Sequence, residues 1–251
     1  MAASEPEAEL EQGLFSHLLE LRTRLIKAIV AVVIVLAALV PFANRLYALL
    51  AEPLVSRLPQ GAHLIATEVA SPFVTPLKLA AYTALFISMP VVLYQLWAFV
   101  SPGLYKHEKR LARPLLIAAM VLFYIGCAFA YFLVLPAAFR FLTAVTPQGV
   151  EMMTDITHYL DFVTLMFFAF GLCFEVPVAV VILAAVGIVD LDKLRKGRRY
   201  AMVGAFAIAA VVTPPDITSM IMLAIPMCLL YELGVLAVRW LLKPAAAATS
   251  A

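Results

Sequence analysis

Four carboxylates stand at positions where a carboxylate can do chemistry. Glu20 lies in His17-Leu-Leu-Glu20-Leu-Arg22-Thr-Arg24-Leu, a charged stretch ahead of a long apolar run. An acid at the mouth of the first apolar run stands out as a functional candidate. It can equally pair with Arg24 one helical turn on, an interaction worth only a few tenths of a kcal/mol. Glu108 lies in Tyr105-Lys106-His107-Glu108-Lys109-Arg110. There it is either a functional acid or, more simply, local charge compensation in a basic loop. Glu175, in Phe170-Gly-Leu-Cys173-Phe174-Glu175-Val176-Pro177, sits inside an apolar block, where an ionised carboxylate costs several kcal/mol. Such a residue is a functional candidate; the alternative is a neutral acid hydrogen-bonded within a helix bundle. Glu232 is close enough to the end of the last block to reach water, which suits a structural role.

Enzyme chemistry has no comparable support. The chain carries no HExxH, no Gly-x-Ser-x-Gly and no P-loop. His17, His63, His107 and His158 all fall outside the apolar blocks, so no intramembrane metal cluster forms from them. Cys127, Cys173 and Cys228 are scattered singly, which makes neither a disulfide framework nor a zinc site. Inert, buried thiols are the reading for them. No catalytic residue, metal or cofactor is expected, and a net charge of +2 does not point to nucleic acid.

The elements that must position these acids are membrane helices. Hydrophobic residues make up 65% of the chain and charged ones 14%, whereas soluble domains sit nearer half and a quarter. A bilayer core about 30 Å thick needs roughly 20 apolar residues in a helix. Leu25–Phe42, Leu77–Val100, Leu115–Phe139 and Phe162–Val189 meet that, with Pro90 and Pro177 tolerated as kinks. A fifth block, Tyr200–Val212, has only about 13 residues, short enough for a re-entrant or buried helix. The sixth, Ile217–Val238, is interrupted by Pro226 and Glu232. Val212-Thr213-Pro214-Pro215-Asp216 joins the last two, a hairpin too short for a fully spanning pair unless the bilayer thins. Asp216 is placed to cap the sixth helix.

Charge sets the orientation. Of the 18 Lys and Arg residues, only Arg45, Arg57, Lys78 and Arg140 fall on one side of a six-crossing arrangement. Basic residues mark the cytoplasmic side, so both termini are expected inside; five crossings would put Arg239 and Lys243 outside. The N-terminus opens with Glu5, Glu7, Glu9 and Glu11, unlike a cleavable signal, which is basic and then apolar. The expected organisation is an acidic cytoplasmic tail over 1–13, a six-helix transmembrane domain over 14–240, and a short disordered tail over 241–251. No internal repeat is visible.

Five motifs occur in order: His17-Leu-Leu-Glu20-Leu-Arg22, Ala66-Thr-Glu68-Val-Ala-Ser71-Pro72-Phe73, Ser101-Pro-Gly-Leu-Tyr105-Lys106-His107-Glu108, Phe174-Glu175-Val-Pro177-Val and Thr213-Pro214-Pro215-Asp216. In these, and over nearly everything from about Leu14 to Arg239, the chain resembles the TatC family, the multispanning receptor of the twin-arginine translocase. The resemblance implies an all-α membrane fold. Its six transmembrane helices would form a concave bundle with both termini inside and helices five and six short, set in the plasma (inner) membrane. It also implies a receptor and scaffold that recognises twin-arginine signal peptides of folded precursors. Such a receptor gathers the single-span partners TatB and TatA, in a complex of several copies, for transport driven by the protonmotive force.

By that resemblance Glu20 and Glu108 contact the paired arginines, with Arg22, Phe99 and Lys106 nearby. A carboxylate accepts a guanidinium fork that Lys cannot reproduce, so a paired-Arg signal is distinguishable from ordinary basic segments. Glu175 matches an intramembrane acid near the route of TatA recruitment. Thr213, Pro214, Pro215 and Asp216 match the turn where TatB docks, and Pro53, Glu68 and Tyr131 match further positions that matter in the family. Two departures stand out. Met220 occupies a place where the family usually carries Gln, so an apolar contact or another donor must replace that amide. Glu68 stands where many relatives have Asp. The competing class is a secondary transporter of a small solute with Glu175 as proton relay. That reading wants ionisable groups on several facing helices and a repeat, and the sequence offers one central acid.

Overall fold

The structure is a computed structural model that describes residues 5–55, 65–100, 112–145, 155–212 and 217–241. Regular structure among these residues is helical apart from one parallel β-bridge between Ile65 and Asp155. That outcome follows from the solvent the sequence is built for. In hydrocarbon every backbone N–H and C=O must be satisfied internally, which a helix does within a single segment.

Helix α1 (Glu5–Leu39) passes through a 3-10 turn at Val40–Phe42 into α2 (Ala43–Val55). The acidic start is therefore continuous with the first helix from Glu5 onward. Pro41 sits at the first turn of the 3-10 segment, where its missing N–H costs nothing. Helix α3 spans Ser71–Val100 and carries Pro76 and Pro90 without interruption. A long run follows as α4 (Ala112–Phe129), a π turn (Ala130–Val134) and α5 (Leu135–Val145). The π turn has a local cause: Pro136 has no N–H to give the ladder, and the Leu135 N–H instead reaches back five residues to the Ala130 carbonyl. Helices α6 (Ile156–Phe174) and α7 (Val176–Ala185) meet at Glu175, and α8 (Leu191–Val212) and α9 (Ile217–Leu241) complete the chain.

Among the described residues, five stretches are long and apolar enough to cross a membrane: Leu18–Leu49, Ser71–Phe99, Ala112–Phe141, Ile156–Ala185 and Met220–Leu241. The four long blocks read from the sequence correspond to the first four, though the fourth ends at Ala185 and not at Val189, where the chain has already turned. The expectation that both last helices are short holds for the apolar part of α8 alone. Helix α9 has 25 residues, about 37 Å at 1.5 Å per residue, and Pro226 and Glu232 do not break it. A neighbouring helix end or close crossing can cover a carbonyl that proline frees, so proline marks an interruption poorly in such a chain.

The chain divides into two units. The first holds Met1–Ala51 with Phe73–Gly103. Within it α3 buries Ala80, Ala84 and Ser88 at four-residue spacing, together with Leu93 and Trp97. The Ser88 hydroxyl lies 3.5 Å from the Ala31 carbonyl of α1. Among the described residues, none of the most apolar window of this first span is buried.

The second unit holds Glu52–Pro72 with Leu104–Ala251. Its core is an aromatic ladder between the α4–α5 run and α6. Phe129 sits against Phe170 and Phe174 at 5.5 and 5.6 Å between ring centroids, and Phe139 against Tyr159 and Phe162 at 5.8 and 5.9 Å. Small residues let the backbones close up between the rings. A Cβ at Gly126 would lie 2.5 Å from the Phe170 carbonyl oxygen, and one at Gly234 of α9 would lie 2.9 Å from Pro177 Cα. Without a hydrophobic drive between helices in lipid, such close backbone approach is how membrane helices gain contact energy.

Candidate functional site

Glu20 lies on α1 and already holds a guanidinium. Arg24 donates from both Nε, at 3.0 Å, and Nη2, at 2.5 Å, to the same Oε1. The i,i+4 pairing expected from the sequence therefore forms, and it leaves Oε2 with no bond among the described residues. Arg22 is exposed on the same helix, and Phe99 lies partly buried in the last turn of α3. Lys106 and Glu108 lie outside the described residues, as do Thr213, Pro214, Pro215 and Asp216.

Glu175 is the break between α6 and α7. Pro177 cannot donate to the Cys173 carbonyl, so the ladder tightens there: the Glu175 N–H bonds the Leu172 carbonyl at 3.1 Å, and Glu175 in turn accepts from the Ala179 N–H at 2.9 Å. The side chain is half-buried, and its Oε1 is fully enclosed with no hydrogen-bond partner among the described residues. A buried acid oxygen without a partner is costly.

Each remaining expected position has its own surroundings. Tyr131 lies in the π turn, its ring 5.0 Å from that of Phe132 and 6.4 Å from that of Phe167 on α6. Glu68 is exposed, and its carbonyl accepts the Ser71 N–H at the start of α3. Pro53 lies in α2. Met220 is partly buried near the start of α9.

One polar centre escaped the sequence reading. Asp155 caps α6, its Oδ1 accepting the N–H groups of Thr157 at 2.8 Å and His158 at 3.1 Å. Its Oδ2 accepts both the N–H (2.9 Å) and the hydroxyl (2.7 Å) of Thr67. Thr157 Oγ1 donates to Ser71 Oγ at 3.0 Å, and the Ile156 N–H donates to the Ile65 carbonyl at 2.9 Å. The Thr67 hydroxyl, then the Thr67 N–H, hold the Asp155 carboxyl well below the usual carboxylate range, and the cap N–H groups add to this against burial. The signal was in the sequence: Asp155-Ile-Thr just ahead of an apolar run is a helix-start pattern. Nothing local announces Thr67 as its partner.

A second cluster closes the basic start of α8 on the end of α9. Arg198 Nη2 lies 2.7 Å from Glu232 Oε2, and the Tyr231 hydroxyl donates to the Leu194 carbonyl at 2.8 Å. Glu232, assigned a structural role from its position, has one. Among the described residues no group of three or more His, Cys, Asp or Glu side chains could hold a metal.

Comparison with known proteins follows the same lines. The family model described as Sec-independent protein translocase protein (TatC) matches residues 16–226. The Sec-independent protein translocase protein TatC of Azotobacter chroococcum mcd 1 is 54% identical over 230 residues, 92% of this chain and 90% of the relative. That of Escherichia coli (strain K12) is 54% identical over 224 residues, 89% and 87%. A crystal structure of the twin-arginine translocase receptor TatC aligns with a TM-score of 0.78 and 35% identity, covering 90% of this chain and 100% of that one.

Proposed function

The chain belongs to the TatC family of Sec-independent protein translocase proteins, and from that premise we propose how its residues serve transport. It is a multi-pass membrane protein and a component of that translocase, a transport protein and not an enzyme. The small-solute carrier weighed on the sequence has no support among these relatives.

The proposed role is the receptor that binds twin-arginine signal peptides. Glu20 and Glu108 hold the two guanidinium groups, with Arg22, Phe99 and Lys106 beside them. The observation that carries this reading is the Glu20 carboxylate, which already binds a guanidinium on one oxygen and keeps the other open. An incoming arginine can use Oε2 or displace Arg24, since the part-exposed i,i+4 pair it would replace is worth little.

The second part of the proposal concerns partners. Glu175 offers its orphaned oxygen to a polar group on the TatA helix. The turn Thr213–Asp216 and the start of α9 receive TatB, with an apolar contact at Met220 in place of an amide. Pro53, Glu68 and Tyr131 shape the surfaces around these sites. The uncovered apolar length of α1 supports assembly with partner helices or further copies. Six crossings with both termini in the cytoplasm of the plasma membrane fit the Lys and Arg bias. The apolar part of α8 then spans only about 20 Å, and the bilayer thins around it.

Site-specific crosslinking to a twin-arginine precursor tests the receptor assignment. Glu20→Ala with Glu108→Ala should abolish the crosslink, and a Lys-Lys precursor should fail with the wild-type chain. Undiminished crosslinking in the double variant would sink it.

A further inference from the structure

Helix α8 carries five cations against a single acid, Asp192, in its first two and a half turns. Lys193, Arg195, Lys196, Arg198 and Arg199 all precede Tyr200 in a helix that begins at Leu191. Cations at a helix N-terminus oppose the macrodipole, and Arg195 with Arg199 is a like-charge pair at i,i+4. Internal compensation is partial. Arg198 is taken by Glu232, and Lys193 lies 3.8 Å from Asp190. Arg195 and Lys196 have no carboxylate partner among the described residues, and Arg199 lies over the Tyr200 ring at 4.8 Å.

Helix phase sorts these cations by direction. Leu194, Ala205 and Ala209 are buried on one side, and the Tyr231 hydroxyl of α9 reaches the Leu194 carbonyl there. Arg198 shares that side, which is why it meets Glu232. Lys196 and Arg199 point the other way, one turn apart and exposed, and Val203 and Phe206 continue the same exposed side along the helix. Tyr200, 68% exposed, stands at the change from charged to apolar. Polar head, aromatic girdle and apolar tail follow in the order of a bilayer leaflet.

We propose that this outer side of α8 is a binding site for an anionic phospholipid, with Lys196 and Arg199 on the phosphate and the acyl chains along Val203 and Phe206. Arg195, a turn before Arg199, stands within reach of a second anionic oxygen. The length of the helix strengthens the case. With only about 13 apolar residues beyond Arg199, the cations lie deeper than headgroups of an undisturbed leaflet, so an anionic headgroup drawn inward both neutralises them and thins the bilayer. An acidic protein segment would satisfy the charges and leave the apolar continuation of the same face bare. The leaflet is the cytoplasmic one on the topology proposed above; the lipid preference itself does not depend on that reading.

The test uses the purified full-length chain in detergent with equal amounts of phosphatidylglycerol and phosphatidylcholine, bound lipid being counted by native mass spectrometry. The wild type should prefer phosphatidylglycerol by about tenfold or more. Lys196→Gln with Arg199→Gln should remove most of that preference, while Arg239→Gln on α9, also an exposed cation, should leave it in place. If the double variant does not elute as a monodisperse species, each single change should remove part of the preference. Equal uptake of both lipids by the wild type, an unchanged preference in the double variant, or equal loss in Arg239→Gln would each overturn the proposal. Transport is not part of the readout, so failure here and failure of the receptor assignment are separate results.

Discussion

Thr67 and Asp155, 88 residues apart in sequence, are joined by two hydrogen bonds that converge on one carboxylate oxygen. The bonds tie the segment before α3 to the first turn of α6, and the same aspartate caps that turn. Thr67→Val keeps the shape and removes the hydroxyl, and should destabilise by about 1–2 kcal/mol. Asp155→Ala removes the cap as well and should lower the melting temperature in detergent further. A double-mutant cycle measures the coupling, and strictly additive losses would mean the two residues act independently.

The same aspartate gives the stability a pH dependence of known sign. Its carboxyl is held below the usual range in the folded chain, so folding favours the ionised form. That stabilisation is fully present above the unfolded value of about 3.9 and is lost as pH falls through the lower folded value. Melting temperature should therefore be insensitive to this group from pH 7 to about 5 and fall below about 4. Asp155→Asn should lack that component of the decline, and identical acid profiles for the two proteins would contradict it.

Gly126 and Gly204 should respond in opposite directions to the same change. At Gly126 a methyl group meets the Phe170 backbone carbonyl, which cannot swing aside; at Gly204 it meets nothing within 4 Å. Gly126→Ala should cost about 1–3 kcal/mol. Gly204→Ala should be neutral or stabilise by up to about 1 kcal/mol. Gly171→Ala meets the Phe123 ring and should fall between them, because a ring can turn. Thermal unfolding of the three variants in detergent is the measurement.

The contacts between α8 and α9 should be unequal. Arg198 and Glu232 are exposed by 47% and 39%, so Glu232→Gln should cost less than about 1 kcal/mol. Tyr231→Phe loses a part-buried bond to the Leu194 carbonyl and should cost about 1 kcal/mol or slightly more. A larger loss from Glu232→Gln, measured by thermal unfolding, would show that the ion pair carries more than its exposure allows.

Glu175→Gln and Glu175→Ala should separate hydrogen bonding from mere space. If the orphaned oxygen receives a partner's donor, the amide should retain much of the export of a folded twin-arginine substrate and alanine should lose it. Normal export with alanine removes the recruitment role.

Much was legible in advance because its causes are local. Hydropathy over 20 residues predicts a crossing wherever it occurs, so the four long blocks reappear as helices, and Glu175 stands out as an acid in apolar surroundings. The i,i+4 pair of Glu20 and Arg24 was equally readable, since helix geometry alone brings it together. Proline misled the reading of α9, because whether a freed carbonyl breaks a helix depends on what packs against it.

The sequence by itself determined that this chain is helical, membrane-spanning and carries a deep acid beside Pro177, because composition, period and backbone chemistry act within a few turns. Only the tertiary structure decided that Asp155 takes Thr67, that Gly126 admits the Phe170 carbonyl, and that Arg198 turns to Glu232 and leaves Lys196 and Arg199 outward. Those choices depend on which distant backbones come within hydrogen-bond or van der Waals reach, and no local period records that distance.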